Sequence, residues 1–114
     1  MLSLHPHLRY FVYRGFTDMR KSFDGLSGLV KNELKKQPGA SEVYIFFNRN
    51  RTHVKILFWE NDGYALYYKR LELGTYEMPK TDDHGEVSAQ IVSLILQGII
   101  TDSVKKKKRY RFAA

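Results

Sequence analysis

Cysteine is absent from this 114-residue chain. That absence excludes disulfides, thiolate zinc sites and cysteine nucleophiles, and it fits a reducing compartment. No apolar run approaches the roughly 18 residues that a membrane span needs. The stretch Met1 to His7 has no basic region followed by an apolar one. Neither a membrane helix nor a signal peptide is therefore expected, and the cytoplasm is the expected address. Internal repeats are missing too. So are a Gly-rich phosphate loop ending in Lys-Ser/Thr and a nucleophile elbow.

What is present suits one self-sufficient domain. Apolar residues make up 43% of the chain, with seven Phe, eight Tyr and one Trp. That supplies a core and argues against wholesale disorder. The net charge of +7 is unevenly spread, since residues 105–111 hold six of the 19 basic groups. A block of like charges repels itself and becomes ordered on an anionic partner. The expected organisation is a single α+β domain over residues 1–104 and a basic flexible tail over 105–114.

Arg9 to Arg14 is aromatic and β-branched, which predicts a strand ending at Gly15. Thr17 or Asp18 supplies an N-cap for a long helix. Met19, Phe23, Leu26, Val30 and Leu34 form its apolar stripe, and Pro38-Gly39 closes it. Glu42–Asn48, Thr52–Trp59 and Tyr64–Leu71 read as three strands. Asp62-Gly63 provides the residue chemistry of a type I′ turn between the last two. Leu73–Pro79 is irregular. Ser88 caps a short second helix through about Gln97, with Val87 and Val92 as a hydrophobic staple and Gly98 at the C′ position. The expected fold is an antiparallel meander sheet with one long helix and one short C-terminal helix packed on it, followed by the basic tail.

Arg20, Lys21, Lys31 and Lys35 would share a sector of about 100° opposite the helix's apolar stripe. They read equally as a solvated face or a phosphate-contacting one. Gly25 and Gly28 lie inside this helix at a cost of about 1 kcal/mol each against alanine. Together they make a notch for an intramolecular neighbour or for a partner. On the strands, Val54, Ile56 and Phe58 facing a core would send Lys55 and Trp59 outward. Their neighbours would be Tyr67 and Lys69 or Tyr68 and Arg70, depending on register. Such a face is an ordinary β-surface or one that stacks on bases and neutralises phosphates. Arg49 and Arg51 are expected to be exposed on a turn. Lys105, Lys106, Lys107, Lys108, Arg109 and Arg111 are the strongest electrostatic signal.

Catalytic signals are weak. His5-Pro6-His7 has no cysteine or nearby carboxylate to complete a metal site. Glu60, Asp62 and Glu72 gather loosely around the hairpin, and Asp62 is accounted for by the turn. No enzyme activity, catalytic residue, metal or cofactor is expected. The candidate DNA-binding set is the cations named above, and the candidate partner-binding set is Gly25, Gly28, Trp59 and Tyr67.

The run Tyr13-Arg14-Gly15, then Thr17-Asp18-Met19-Arg20-Lys21-Ser22-Phe23-Asp24-Gly25-Leu26, resembles the transposition accessory proteins of the family sixty-six insertion sequences, the TnpB or second-open-reading-frame type. Phe46-Phe47-Asn48-Arg49, Lys55, Trp59, Asp62-Gly63 and Tyr68-Lys69-Arg70-Leu71-Glu72 continue the resemblance, which covers about residues 1–100. Trp59-Glu60 departs from the family's Trp-Asp, and residues 37–41 are looser than its pattern. The resemblance implies an accessory role beside a separate transposase that carries the catalytic residues. The expected partners are thus DNA and the transposase. An adaptor that meets only the transposase is the alternative.

Overall fold

Two apolar faces, not one, organise this molecule. The computed structural model describes residues 4–100, 105, 106 and 109, with the backbone alone for 99, 100, 105 and 106. Its elements run in the order β1 (Arg9–Val12), α1 (Phe23–Asn32), β2 (Glu42–Phe47), β3 (His53–Glu60), β4 (Gly63–Arg70), β5 (Glu86–Val87), α2 (Ala89–Leu96), β6 (Ile99–Ile100) and β7 (Lys105–Lys106). Five strands form one sheet in the order β4-β3-β2-β1-β5, and β6 pairs with β7.

The expected meander is present as β2-β3-β4, but the sheet is mixed. β1 lies parallel to β2, with α1 as the crossover between them, and β5 runs antiparallel on the far side of β1. A parallel neighbour requires such a crossover and leaves the central strands covered on both faces. The residues of β1 and β2 suit that position, since Tyr10, Phe11, Val12 and Val43 through Phe47 are all buried.

The two helices lie on opposite faces. Tyr10, Val12, Val43, Ile45, Phe47, Val54 and Ile56 pack against Val92 and Ile95 of α2 and against Tyr76. Phe11, Tyr44, Phe46 and Leu57 pack against Leu26 and Val30 of α1. Tyr76 belongs to the irregular segment after β4, yet it is fully buried, and its N–H donates to the Arg51 carbonyl at 2.7 Å.

α1 is shorter than expected at both ends. Ser22, not Thr17 or Asp18, is its N-cap residue, without a side-chain cap bond. Thr17 is instead buried, and its N–H donates to the Phe47 carbonyl at 2.9 Å, prolonging the pairing beside β2. The helix ends well before Pro38-Gly39. Lys35 takes a left-handed φ of 56°, and the Lys36 N–H returns to the Val30 carbonyl at 3.1 Å. That closure spans seven residues, one more than the 6→1 bond of a Schellman motif, with lysine in the left-handed position where glycine is commoner. α2 follows its sequence signals. The Ser88 hydroxyl accepts from the Ile91 N–H, and Gly98 sits at φ 80°.

The β3–β4 turn is one residue earlier than expected. Glu60 pairs with Gly63, so Asn61 and Asp62 form the loop. Only Asn61 has positive φ there, at 55°, a conformation asparagine tolerates.

Candidate functional site

The carboxyl ends of β1 and β2 carry two loops, 13–22 and 48–52, which expose Arg14, Phe16, Arg20, Lys21, Arg49 and Arg51. The first loop is anchored along β2, with the Tyr13 N–H on the Ile45 carbonyl and the Thr17 N–H on the Phe47 carbonyl. It then turns at Asp18. The Asp18 carboxylate accepts the Arg20 backbone N–H at 2.9 Å and holds the Arg20 guanidinium at 2.6 Å. Arg20 therefore pulls the Asp18 pKa down to about 2.

Lys55 supports this turn from beneath. It was expected on an outer face, but it is only 6% exposed. Its ammonium donates to the carbonyls of Met19 and Lys21, each at 2.7 Å, and lies 4.6 Å from the centre of the Tyr68 ring. The burial of a lysine is acceptable here because charge-assisted bonds to carbonyls replace its hydration. Its charge is thus directed inward, onto the loop.

The second loop is held by Asn48. Its side-chain carbonyl accepts from the Thr52 and His53 N–H groups at 2.9 and 3.0 Å, and its amide reaches the Thr52 hydroxyl at 3.0 Å. Such a local side-chain clamp fixes the loop's shape without outside help. Arg49 and Arg51 project from it into solvent, Arg51 with φ 55°. The Arg49 guanidinium lies 4.9 Å from the centre of the Phe16 ring, and Phe16 is 61% exposed. Arg14, Lys21, Arg49 and Arg51 are all exposed, and none has an acidic partner among the described residues.

The other expected residues are dispersed. Lys31 and Lys35 lie at the far end of α1 from Arg20 and Lys21, so the four do not form one helix face. The β3–β4 register places Tyr68 opposite Lys55 and Tyr67 opposite Ile56. Tyr67 and Lys69 therefore share the α2 side of the sheet, with Tyr67 packed on its core, while Tyr68 and Arg70 share the side of Trp59. Arg70 holds Glu72 at 2.9 Å. Trp59 is exposed and edge-on to Tyr64 at 5.2 Å. Trp59 and Tyr67 thus cannot belong to one patch. Gly28 has nothing within 4 Å of the place a Cβ would take, whereas Gly25 faces the Lys21 side chain at 3.2 Å.

Of the basic tail, Lys105 and Lys106 pair with Ile100 and Ile99. Arg109 donates to the Thr75 carbonyl at 3.0 Å, with its guanidinium 5.4 Å from the centre of the Tyr76 ring. Burial lowers the pKa of Arg109 from its usual value. Lys107, Lys108 and Arg111 lie outside the described residues. The carboxylates Glu60 and Glu72, loosely grouped in the sequence, stand at opposite ends of the β3–β4 hairpin. The His5 and His7 rings are 5.3 Å apart, and no group of three metal-ligating side chains occurs among the described residues. No helix there is long and apolar enough to cross a membrane.

Arg14, Phe16 and Asn48 were not singled out by charge patterning. Asn48 was visible as the start of Asn-Arg-Asn-Arg-Thr, a spacing that suits a side-chain clamp on a turn.

The fold and its loops define a small domain with a mixed sheet between two helices and a cationic, partly aromatic surface at one end. The chain belongs to the IS66 Orf2-like protein family, whose profile matches residues 8–106. Membership suggests an accessory role in transposition. Two relatives come from Sinorhizobium fredii (strain NBRC 101917 / NGR234). One, "Uncharacterized protein y4hO", is 29% identical over 100 residues, covering 87% of each chain. The other, "Uncharacterized protein y4jC", is 28% identical over 108 residues, covering 94% of this chain and 92% of its own. No solved structure matches.

Proposed function

We propose that the chain serves transposition as a non-catalytic accessory factor that contacts DNA with the loops 13–22 and 48–52. The observation that carries this reading is the Asn48-clamped loop, which exposes Arg49 and Arg51, sets the Arg49 guanidinium over the Phe16 ring, and leaves both arginines without an acidic partner among the described residues. Phosphate contacts of this kind position a protein, and an exposed aromatic can stack on a base. Lys69, Arg70 and the basic residues of 105–111 add sequence-independent attraction. The transposase and DNA are the partners.

Fluorescence anisotropy on duplexes carrying the element's inverted repeat or a scrambled sequence, across a salt series, tests the proposal. The double variant Arg49→Ala/Arg51→Ala is expected to bind at least about tenfold more weakly. Its log–log salt slope should be shallower by about 1.8, which is two phosphates' worth. An unchanged slope would remove these arginines from the interface. Absence of binding by the full chain at low salt would remove DNA.

A second reading, docking on the transposase, draws on Gly28. Among the described residues, nothing beyond its own helical turn lies within 4 Å of its Cβ position, so the helix cost of glycine has no return there. Gly28→Ala is expected to raise stability by up to about 1 kcal/mol in urea unfolding. Should the same variant lower transposition while leaving DNA affinity intact, α1's outer face is a protein contact.

A further inference from the structure

Among the described residues, the sheet ends in a strand whose outer edge bonds to no other backbone. β4 is the terminal strand, and its ladder with β3 runs without a bulge from His53–Arg70 to Glu60–Gly63. The two-residue hairpin closes on Glu60 and Gly63, and beyond the ladder the Leu71 N–H donates to the Thr52 carbonyl at 2.8 Å. In an antiparallel pair the bonded residues alternate, so the odd-numbered residues of β4 bond to β3. Tyr64, Leu66, Tyr68 and Arg70 therefore turn their backbone N–H and C=O groups outward. Among the described residues, no loop or helix backbone bonds to them.

Exposed edges are ordinarily protected by charge, proline, a bulge or brevity. β4 has eight residues, and from Gly63 to Tyr68 it carries none of these protections. Tyr64 and Tyr68, on the α1 side of the sheet, are 40% and 52% exposed.

We propose that β4 pairs antiparallel with β4 of a second copy about a two-fold axis at Leu66, joining the two five-stranded sheets into one. A two-fold axis normal to the sheet keeps each face continuous, so residues that meet must lie on the same face. Leu66 then meets Leu66 of the second copy, and Tyr64 meets Tyr68. One step further out, Asp62 meets Arg70. The Leu66 and Tyr64–Tyr68 pairs use residues whose backbone groups already point outward, whereas Asp62, in the hairpin loop with its N–H on the Glu60 carbonyl at 2.6 Å, reaches Arg70 through its side chain alone. Sliding the centre to Tyr67 would instead set Asp62 against Glu72, two like charges. Charge complementarity thus selects the Leu66 register. Cross-strand aromatic and opposite-charge pairs stabilise such ladders.

The test is sedimentation equilibrium of the full chain without DNA over about 1–100 µM, a range that reads micromolar self-association. A dimer is expected. Asp62→Arg and Arg70→Asp are exposed single changes that each place like charges opposite one another twice per dimer. Each is expected to weaken dimerisation at least about tenfold, and the double swap to restore it to within about threefold. Amide exchange supplies a second readout in the unaltered chain, in which the Leu66 and Tyr68 N–H groups become protected as concentration rises. A monomer throughout overturns the proposal. So does a dimer indifferent to the single swaps, one that the double swap fails to restore, or one whose Leu66 and Tyr68 amides stay unprotected. None of these readouts depends on DNA binding.

Discussion

Gly85→Ala is expected to lower the stability of the chain by about 3 kcal/mol. Two costs coincide there. Gly85 sits at φ 82°, a region that side chains enter only with strain. A Cβ would also stand 2.5 Å from the Val12 carbonyl oxygen, which is backbone and cannot rotate away. The Gly85 carbonyl accepts the Val12 N–H at 2.8 Å, so relief of the clash would pull β5 from the edge of β1. Against a total stability of about 5–15 kcal/mol for a domain of this kind, the loss is severe. The midpoint of thermal unfolding should fall by more than about 10 °C. Gly63→Ala is the control. Gly63 has no positive φ and nothing within 4 Å of its Cβ position, so its replacement should change stability by less than about 1 kcal/mol. Equal behaviour of the two variants in urea unfolding would refute this account of Gly85.

Lys55→Met should cost about 2 kcal/mol and weaken DNA binding without altering its salt slope. Methionine keeps the length of the side chain but leaves the Met19 and Lys21 carbonyls without their donor. An unsatisfied acceptor costs about 1–3 kcal/mol, and part of this is offset because a buried ammonium no longer has to be desolvated. The turn at Asp18 to Lys21 loses its support, so Arg20 and Lys21 spend less time in one place. The salt series separates this role from direct contact. A lysine on a phosphate would take about 0.9 from the log–log slope, whereas a buried positioning residue leaves the slope nearly unchanged while affinity falls. A slope reduced by that amount would return Lys55 to the DNA-facing set.

Much of this architecture could be read along the chain. α2 carries its own start and stop signals, Ser88 and Gly98, and both act as such. The strands β2, β3 and β4 are local runs of β-branched and aromatic residues, and the hairpin between β3 and β4 was misplaced by a single residue. The resemblance carried by the Thr17–Leu26 and Tyr68–Glu72 runs agrees with the family match.

The ends of α1 differ from the sequence reading because distant residues compete for them. Thr17 and Asp18 are good helix caps by type, and Met19 continues the apolar stripe. β2 claims Thr17 through the Phe47 carbonyl, and Lys55, 36 residues beyond Met19, claims the turn's carbonyls. Helix therefore begins only at Phe23. At the other end, Lys36 lies over the Phe11 ring at 4.3 Å, and the chain turns at Lys35 before it reaches Pro38. The dispersal of the basic helix face follows from these two shifts.

Composition and spacing alone determined that this protein is a basic, cysteine-free α+β domain with a three-strand meander and a capped second helix. Each of those properties depends on neighbours a few residues apart. The parallel placement of β1, the second buried face, the inward turn of Lys55 and the open edge of β4 were decided only by tertiary structure. They depend on which strands lie side by side. A strand's side chains have a period of two, so register and layer order, set by long-range burial, determine which way every second residue faces.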